Sequence, residues 1–119
     1  MPFKFEKLIA WQKALELTSI VNEVTGKFPK SELFILTSQM KRAADSVALN
    51  IAEGSTRQSN AEFNRFLGIS LRSNIEVVGC IYIAQKRNLI TKEDFDKIYK
   101  MTEEILFIIN GLRRSLNKN

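Results

Sequence analysis

The sequence predicts an all-α protein, an antiparallel up-down-up-down bundle of four helices. Apolar residues recur every three or four positions through most of the chain, as in helices with one buried face. Only two prolines and five glycines interrupt its 119 residues, which favours long elements over many short turns. The pattern predicts one domain with helices at about residues 6–27, 32–53, 60–87 and 92–116, and such short links make consecutive helices antiparallel.

The first predicted helix carries a wide apolar stripe and is closed by Gly26 and Pro29, residue types that commonly follow helix ends. A wide stripe indicates contact with more than one neighbouring helix. Its members are Ala10, Ala14, Leu17, Val21, Val24 and Phe28.

The second predicted helix has marked ends and two faces. Ser31 is placed to cap its first turn, and Gly54 is placed to end it in a left-handed turn. The core face comprises Leu33, Leu36, Met40, Ala44, Val47, Ala48 and Ile51, and the opposite polar stripe comprises Arg42, Ser46, Asn50 and Glu53. Because Ile35 and Leu49 share the arc of the polar stripe, we expect that face to be covered by another helix or another subunit.

The third predicted helix begins at a capping box, Ser59 with Glu62. Its apolar arc is broader than one neighbour requires, which favours assembly of several copies. The residues in this arc are Phe63, Phe66, Leu67, Ser70, Ser73, Val77, Val78, Cys80, Ile81 and Ala84.

The remaining arc of this helix holds Arg65, Arg72 and Lys86, with Gly79 completing a seven-residue spacing. Regularly spaced cations on one helical line suit contacts with phosphates. An ordinary solvated helix face explains the same pattern equally well. Arg72 is also spaced to form an ion pair with Glu76 one turn on.

Asn88 ends the third helix, and Thr91 with Asp94 starts the fourth. Arg113 and Arg114 close the fourth helix, where cations favour the helix dipole, although both remain candidates for ligand binding. Its unbroken coiled-coil-like seam comprises Phe95, Ile98, Thr102, Ile105, Ile109, Leu112 and Leu116.

Composition excludes several classes of function. The chain has no histidine, which removes Ser-His-Asp and Cys-His catalysis and ordinary zinc sites, so we expect no metal and no cofactor. Cys80 is the single cysteine and is interpreted as a small buried hydrophobe. The apolar runs are too short for a membrane span, so we expect a cytoplasmic protein. A net charge of +5 favours a polyanionic partner.

Four segments carry a resemblance to a known family. They are FEKLIAWQKA near the start, FPKSE before the second helix, QMKRAADSVALNIAEG within it, and LRSNIE in the third helix. In this order they resemble the four-helix-bundle proteins associated with intervening sequences in bacterial 23S ribosomal RNA. NIAEG after an RAADS segment is the most specific part.

The resemblance implies a small, basic, non-enzymatic bundle that assembles into a ring, a homopentamer. The chain is also similar to the accessory protein of diversity-generating retroelements, a pentameric bundle that binds nucleic acid and a reverse transcriptase. By position, the family's polar motif corresponds to Arg42, Ser46, Asn50, Glu53, Gly54, Ser73 and Glu76. A hydrogen-bonded network within or between subunits is expected there, with Arg42 paired to Glu53 or Glu76.

Three functions follow as hypotheses. The first is binding of nucleic acid, RNA before DNA, by charge and shape and without a stacking-aromatic motif. Its candidate contacts are Lys41, Arg57, Arg65, Arg72, Lys86, Arg87, Arg113 and Arg114. The second is a protein-interaction scaffold that recruits a partner enzyme. The third, a hydrolase using Glu53 and Glu76, is disfavoured because the sequence offers no metal-ligand pattern and no phosphate loop.

Overall fold

Four long helices form the protein. The computed structural model describes residues 1–56 and 59–117, and all regular structure in these residues is helical. The predicted all-α four-helix bundle is therefore confirmed. The long helices are α1 (Ile9–Thr25), α2 (Ser38–Gly54), α3 (Asn60–Lys86) and α4 (Lys92–Leu116).

Polar contacts between helices show how the bundle is arranged. For α2 with α3, the pairs are Ser46–Ser73 and Gln39–Glu76. For α3 with α4, they are Asn64–Arg113 and Asn74–Thr102. For α1 with α4, Lys13 pairs with Glu104, and Lys27, two residues beyond the end of α1, pairs with Asp94. In each case the residue numbers of the two helices run in opposite directions. Adjacent helices are therefore antiparallel, and the chain order places them around a single core.

The core runs along the inner faces of all four helices. Its largest fully buried side chains include Leu17, Met40, Ile51, Leu67, Ile81, Ile98, Ile105 and Ile109. By length and composition, α3 is apolar enough to cross a membrane. Its buried face supplies Phe63, Leu67, Val77 and Ile81 to the core, and that role in a bundle accounts for the same apolar composition.

The third and fourth helices begin as predicted. The hydroxyl of Ser59 accepts the N–H of Glu62 at 3.1 Å, and the hydroxyl of Thr91 accepts the N–H of Asp94 at 3.1 Å. Asn88 has a φ of 59°, a left-handed conformation that asparagine tolerates and that ends α3. Local capping chemistry decided these boundaries, so the sequence was sufficient to locate them.

The entry to the second helix differs from the prediction. Ser31 lies inside a 3-10 turn, Lys30–Glu32, and makes no cap, and a π-helical turn, Leu33–Thr37, precedes α2. A π turn contains an extra residue and rotates the side chains that precede the α-helix. As a result Leu36 and Thr37 are buried, whereas Leu33 is exposed and not part of the core.

The first helix starts later than predicted. The chain forms a 3-10 turn at Lys4–Lys7 and becomes extended at Leu8 before α1 begins. This extended residue interrupts the helix, so the 3-10 turn is a separate element at one end of the bundle.

Gly54 has a different role from the one predicted. No glycine in the described chain has a positive φ, so Gly54 does not end α2 in a left-handed turn. A Cβ atom on Gly54 would lie 2.6 Å from Cβ of Phe66 and 3.1 Å from Cδ1 of Phe63. Gly54 is therefore a close-approach residue that allows α2 and α3 to pack against each other.

Candidate nucleic-acid interface

Arg65 lies in the first turns of α3 and is held in place from two sides. Its Nε donates to Oε1 of Glu62 at 3.3 Å, and its guanidinium lies 4.7 Å from the ring centroid of Phe66. Most of the side chain remains exposed. An exposed arginine ordered in this way keeps donors available to a ligand and loses less conformational entropy when it binds.

Arg113 of α4 reaches across to the same surface of α3. Its Nε donates to Oδ1 of Asn64 at 2.9 Å. A Cβ atom on Gly68 would lie 3.5 Å from Nη2 of Arg113 and 3.7 Å from its Cζ. Gly68 therefore leaves room for the guanidinium to lie against α3, and Asn64 fixes its orientation.

These contacts bring three arginines together. Gly68, where Arg113 rests, lies one helical turn from Arg65 and one turn from Arg72, and Arg65 and Arg72 are about 10 Å apart along the axis. Arg72 is exposed and makes no ion pair within the described chain, so its expected pair with Glu76 is not formed. We call Arg65, Arg72 and Arg113 the arginine cluster.

The other predicted basic residues lie elsewhere. Lys86 is about 21 Å along α3 from Arg72, and Arg87 pairs with Glu32 at 3.4 Å. Lys41 lies on α2 beside Leu33 and Thr37, and Arg114 is exposed in the last turns of α4. Arg57 is outside the described residues. The tertiary structure thus selects a compact cluster from a longer list of candidates.

Comparison with known proteins places the chain in a family. The model of the 23S rRNA-intervening sequence protein family matches residues 6–111. The chain belongs to the 23S rRNA-intervening sequence protein family. A search of curated proteins found no match.

A solved structure shares the fold of this family member. It is a protein of unknown function from the S23 ribosomal protein family of Bacteroides thetaiotaomicron, with a TM-score of 0.80 and 25% sequence identity. The similarity covers 88% of this chain and 98% of that chain. The likeness therefore extends over almost the whole bundle.

Three residues of the predicted polar motif, Ser46, Asn50 and Ser73, meet where α2 packs on α3. Ser73 Oγ donates to Ser46 Oγ at 2.8 Å, and Asn50 Nδ2 donates to Ser46 Oγ and to its carbonyl, both at 2.9 Å. Deeper in the same contact, the hydroxyl of Ser70 donates to the carbonyl of Val47. This network satisfies polar groups between two closely packed helices, which is a structural role.

The expected ion pairs of this motif do not form within one chain. Arg42 is exposed and, within residues 1–56 and 59–117, pairs with neither Glu53 nor Glu76. Glu76 instead accepts a hydrogen bond from Nε2 of Gln39 at 3.4 Å. Because Gln39 lies about 21 Å from Glu53 along α2, the two glutamates are too far apart to act together as an acid and a base.

Cys80 fits its predicted role. Burial raises the pKa of the Cys80 thiol to about 11, and the carboxylate of Glu76 adds to the shift. The thiolate is the reactive form, so at neutral pH this cysteine behaves as a small core residue.

A groove between α3 and α4 is the second notable surface. It has a volume of about 220 Å³ and is lined by Asn74, Ile75, Val78, Tyr99, Thr102, Glu103 and Leu106. Asn74 is only 2% exposed, and while its Nδ2 donates to the carbonyl of Thr102 at 2.8 Å, its Oδ1 has no partner in the described chain. We call this the α3–α4 groove.

Sequence reasoning missed Asn64 and Asn74, and it noted Gly68 beside the basic arc without giving it a role. Asn64 and Asn74 are polar residues beside apolar positions of α3. The role of each is visible only from its hydrogen bond to a residue of α4. Glycine at position 68 was visible in the sequence beside the basic arc. Its spacing one turn from both Arg65 and Arg72 was the one signal available.

Proposed function

We propose that this protein is a non-enzymatic, cytoplasmic homo-oligomer that binds nucleic acid, and that structured RNA is its preferred ligand. The observation that carries the proposal is the arginine cluster, in which Asn64 and Gly68 hold Arg113 against α3, and Gly68 is one helical turn from both Arg65 and Arg72. Ordered guanidinium groups are suited to phosphate because they donate two parallel hydrogen bonds to it.

The dimensions of the cluster suit one strand of a polynucleotide. Arg65 and Arg72 are about 10 Å apart along the helix axis, so the cluster is long enough to contact more than one phosphate of a strand. Such contacts position a backbone without reading bases, so we expect little sequence preference.

Family membership supports RNA over DNA, since the family's description refers to 23S ribosomal RNA. A homo-oligomeric ring, which we propose as a pentamer, would repeat the cluster once per subunit. Several weak sites acting on one RNA raise the overall affinity through effective concentration.

Arg113→Ala tests whether the ordered arginine contributes. We expect about 3- to 10-fold weaker binding to a fluorescent RNA hairpin at ~0.1 M salt, and a slope of log affinity against log salt that is smaller by about one per bound cluster. Fluorescence anisotropy over a series of salt concentrations measures both quantities.

Arg114→Ala is the matched control, because it removes the same charge from the adjacent position of α4. We expect it to weaken binding by less than about 2-fold, since the exposed Arg114 makes no hydrogen bond or ion pair with α3 in the described chain. Equal losses of RNA affinity in the two variants would show that only the total surface charge matters and that the arginine cluster has no specific role. No RNA binding by the wild-type protein would overturn the proposal.

The α3–α4 groove favours a second candidate function, an interaction scaffold. We infer that the groove takes a helix from a second copy of the chain, so that assembly creates the surface that recruits a partner. The charges are complementary: Glu103 lines the groove, whereas Lys41 and Arg42 of α2 lie beside the exposed Phe34 of the preceding π-helical turn. A donor from that helix would also satisfy Oδ1 of Asn74.

Leu106→Glu tests this assembly. We expect the substitution to shift the particle from oligomer to single chains, because it places a carboxylate beside Glu103 in an apolar groove. Light scattering after size exclusion gives the mass. Lys97→Glu, on an exposed position of α4 outside the groove, should leave the mass unchanged. A wild-type protein that stays monomeric at high concentration rules out the scaffold.

A further inference from the structure

Three aromatic side chains form a stack at the end of the bundle that carries the arginine cluster. The rings of Phe3 and Phe5 are stacked with centroids 6.0 Å apart, and Phe5 meets Trp11 edge-on at 4.9 Å. Phe5 and Trp11 are half-buried, whereas Phe3 is 59% exposed. We call these residues the aromatic stack, and Phe3 is its outer member.

The 3-10 turn at Lys4–Lys7 holds Phe3 in this position. The N–H of Phe3 donates to Oε1 of Glu6 at 3.1 Å, and the N–H of Glu6 donates to the carbonyl of Phe3 at 3.2 Å. An exposed phenylalanine held by two hydrogen bonds across the turn offers a ring to a ligand at a lower entropic cost than one on a free terminus.

Two cations border the aromatic stack, each on the ring of a buried phenylalanine. Nζ of Lys4 lies 5.2 Å from the ring centroid of Phe63, and the guanidinium of Arg65 lies 4.7 Å from that of Phe66. Both rings abut Gly54. Lys4 follows Phe3 directly, so Phe3, Lys4 and Arg65 lie at the same end of the bundle, around the contact of Phe63 and Phe66 with Gly54.

We propose that Phe3 stacks on an unpaired base of a bound nucleic acid whose adjoining phosphates contact Lys4 and Arg65. The inference rests on the proposed function and narrows its ligand to RNA with a single-stranded loop or tail. Aromatic rings and cations side by side are the combination that binds single strands, and stacking tolerates any base because every base has a π-face. Bases inside a continuous duplex are paired and stacked, so they do not reach Phe3.

This site was not expected from the sequence, where no stacking-aromatic motif was recognised. The three aromatic residues are adjacent only because the turn and the extended Leu8 fold the first residues back toward Trp11. The prediction of weak sequence preference is compatible with stacking.

Phe3→Ala provides the test, with two labelled RNAs as probes: a 12-nucleotide oligouridine and a blunt 12-base-pair duplex. We expect about 5- to 100-fold weaker binding of the oligouridine, the range found for loss of one stacked base, and less than 2-fold change for the duplex. Trp11 is the chain's single tryptophan, so its fluorescence should respond to oligouridine in the wild-type protein and respond less in the variant.

Phe107→Ala is the matched control, since Phe107 is 68% exposed on α4 and lies outside the aromatic stack, the arginine cluster and the α3–α4 groove. It should bind both probes as the wild-type protein does. The turn that carries Phe3 contains no buried residue, so an unchanged urea midpoint is expected for Phe3→Ala and shows that the bundle is intact.

Each outcome has a distinct meaning. If Phe3→Ala weakens both probes equally, or neither, the stacking site is wrong while RNA binding through arginines can still hold. If wild-type protein binds neither probe at low salt, the proposed function fails and the stacking site fails with it.

Discussion

Replacing Arg65 and Arg72 together by glutamate is expected to lower the affinity for a structured RNA by about 100-fold or more at ~0.1 M salt. The change would remove the two phosphate contacts that we propose and place two carboxylates near Arg113, where they would repel phosphate and compete for its guanidinium. In an oligomer the loss repeats in every subunit, so retention on RNA should disappear even at low salt. Gel retention and anisotropy measure the effect.

The double variant Lys97→Glu and Lys100→Glu controls for net charge, because both lysines are exposed on α4 away from the arginine cluster. It changes the charge of the chain equally and should retain most of the binding. Both double variants should keep the wild-type helix content and urea midpoint, since they alter exposed positions. Undiminished RNA retention by a folded Arg65→Glu, Arg72→Glu protein would refute the role of the cluster.

Gly54→Ala is expected to lower the free energy of unfolding by about 1–3 kcal/mol, the usual cost of overpacking. The new methyl group would lie 2.6 Å from Cβ of Phe66, an atom fixed to the backbone of α3. Relief therefore requires α2 and α3 to move apart, which also disturbs the hydrogen bond between Ser46 and Ser73. Urea unfolding followed by circular dichroism gives the change.

Gly79→Ala is the matched control in the middle of α3. No atom lies within 4 Å of a Cβ at this position, and alanine favours a helix over glycine by up to about 1 kcal/mol. Replacing glycine by alanine should therefore raise the free energy of unfolding at position 79 and lower it at position 54. A Gly54→Ala protein as stable as the wild type would show that the two helices do not approach this closely.

The helix termini show which boundaries can be predicted from the local sequence. Ser59 and Thr91 were located from sequence because the capping hydroxyl lies only three residues from the backbone N–H that donates to it. Ser31 has the same chemistry but makes no cap. The π-helical turn that follows Ser31 buries Leu36 and Thr37. Their burial depends on packing against other helices, and a local sequence pattern does not contain that information.

The residues of the candidate site also divide into those recognised from the sequence and those identified only from the structure. Arg65 and Arg72 were recognised by their spacing on one helix. Arg113 had an adequate explanation in the helix dipole, and only its contact with Asn64 and Gly68 across the α3–α4 boundary identifies it as a member of the cluster. Phe3 likewise becomes a candidate only because its neighbour Lys4 lies on the Phe63 ring and its own ring stacks on Phe5.

The sequence by itself determined four amphipathic helices, most of the core and two of the helix starts, because helical period and capping act over a few residues. The tertiary structure decided which basic side chains meet, why position 54 must be glycine, and where an aromatic ring stands beside cations. Those features depend on the register between helices, and register is set by packing of side chains that are distant in the chain.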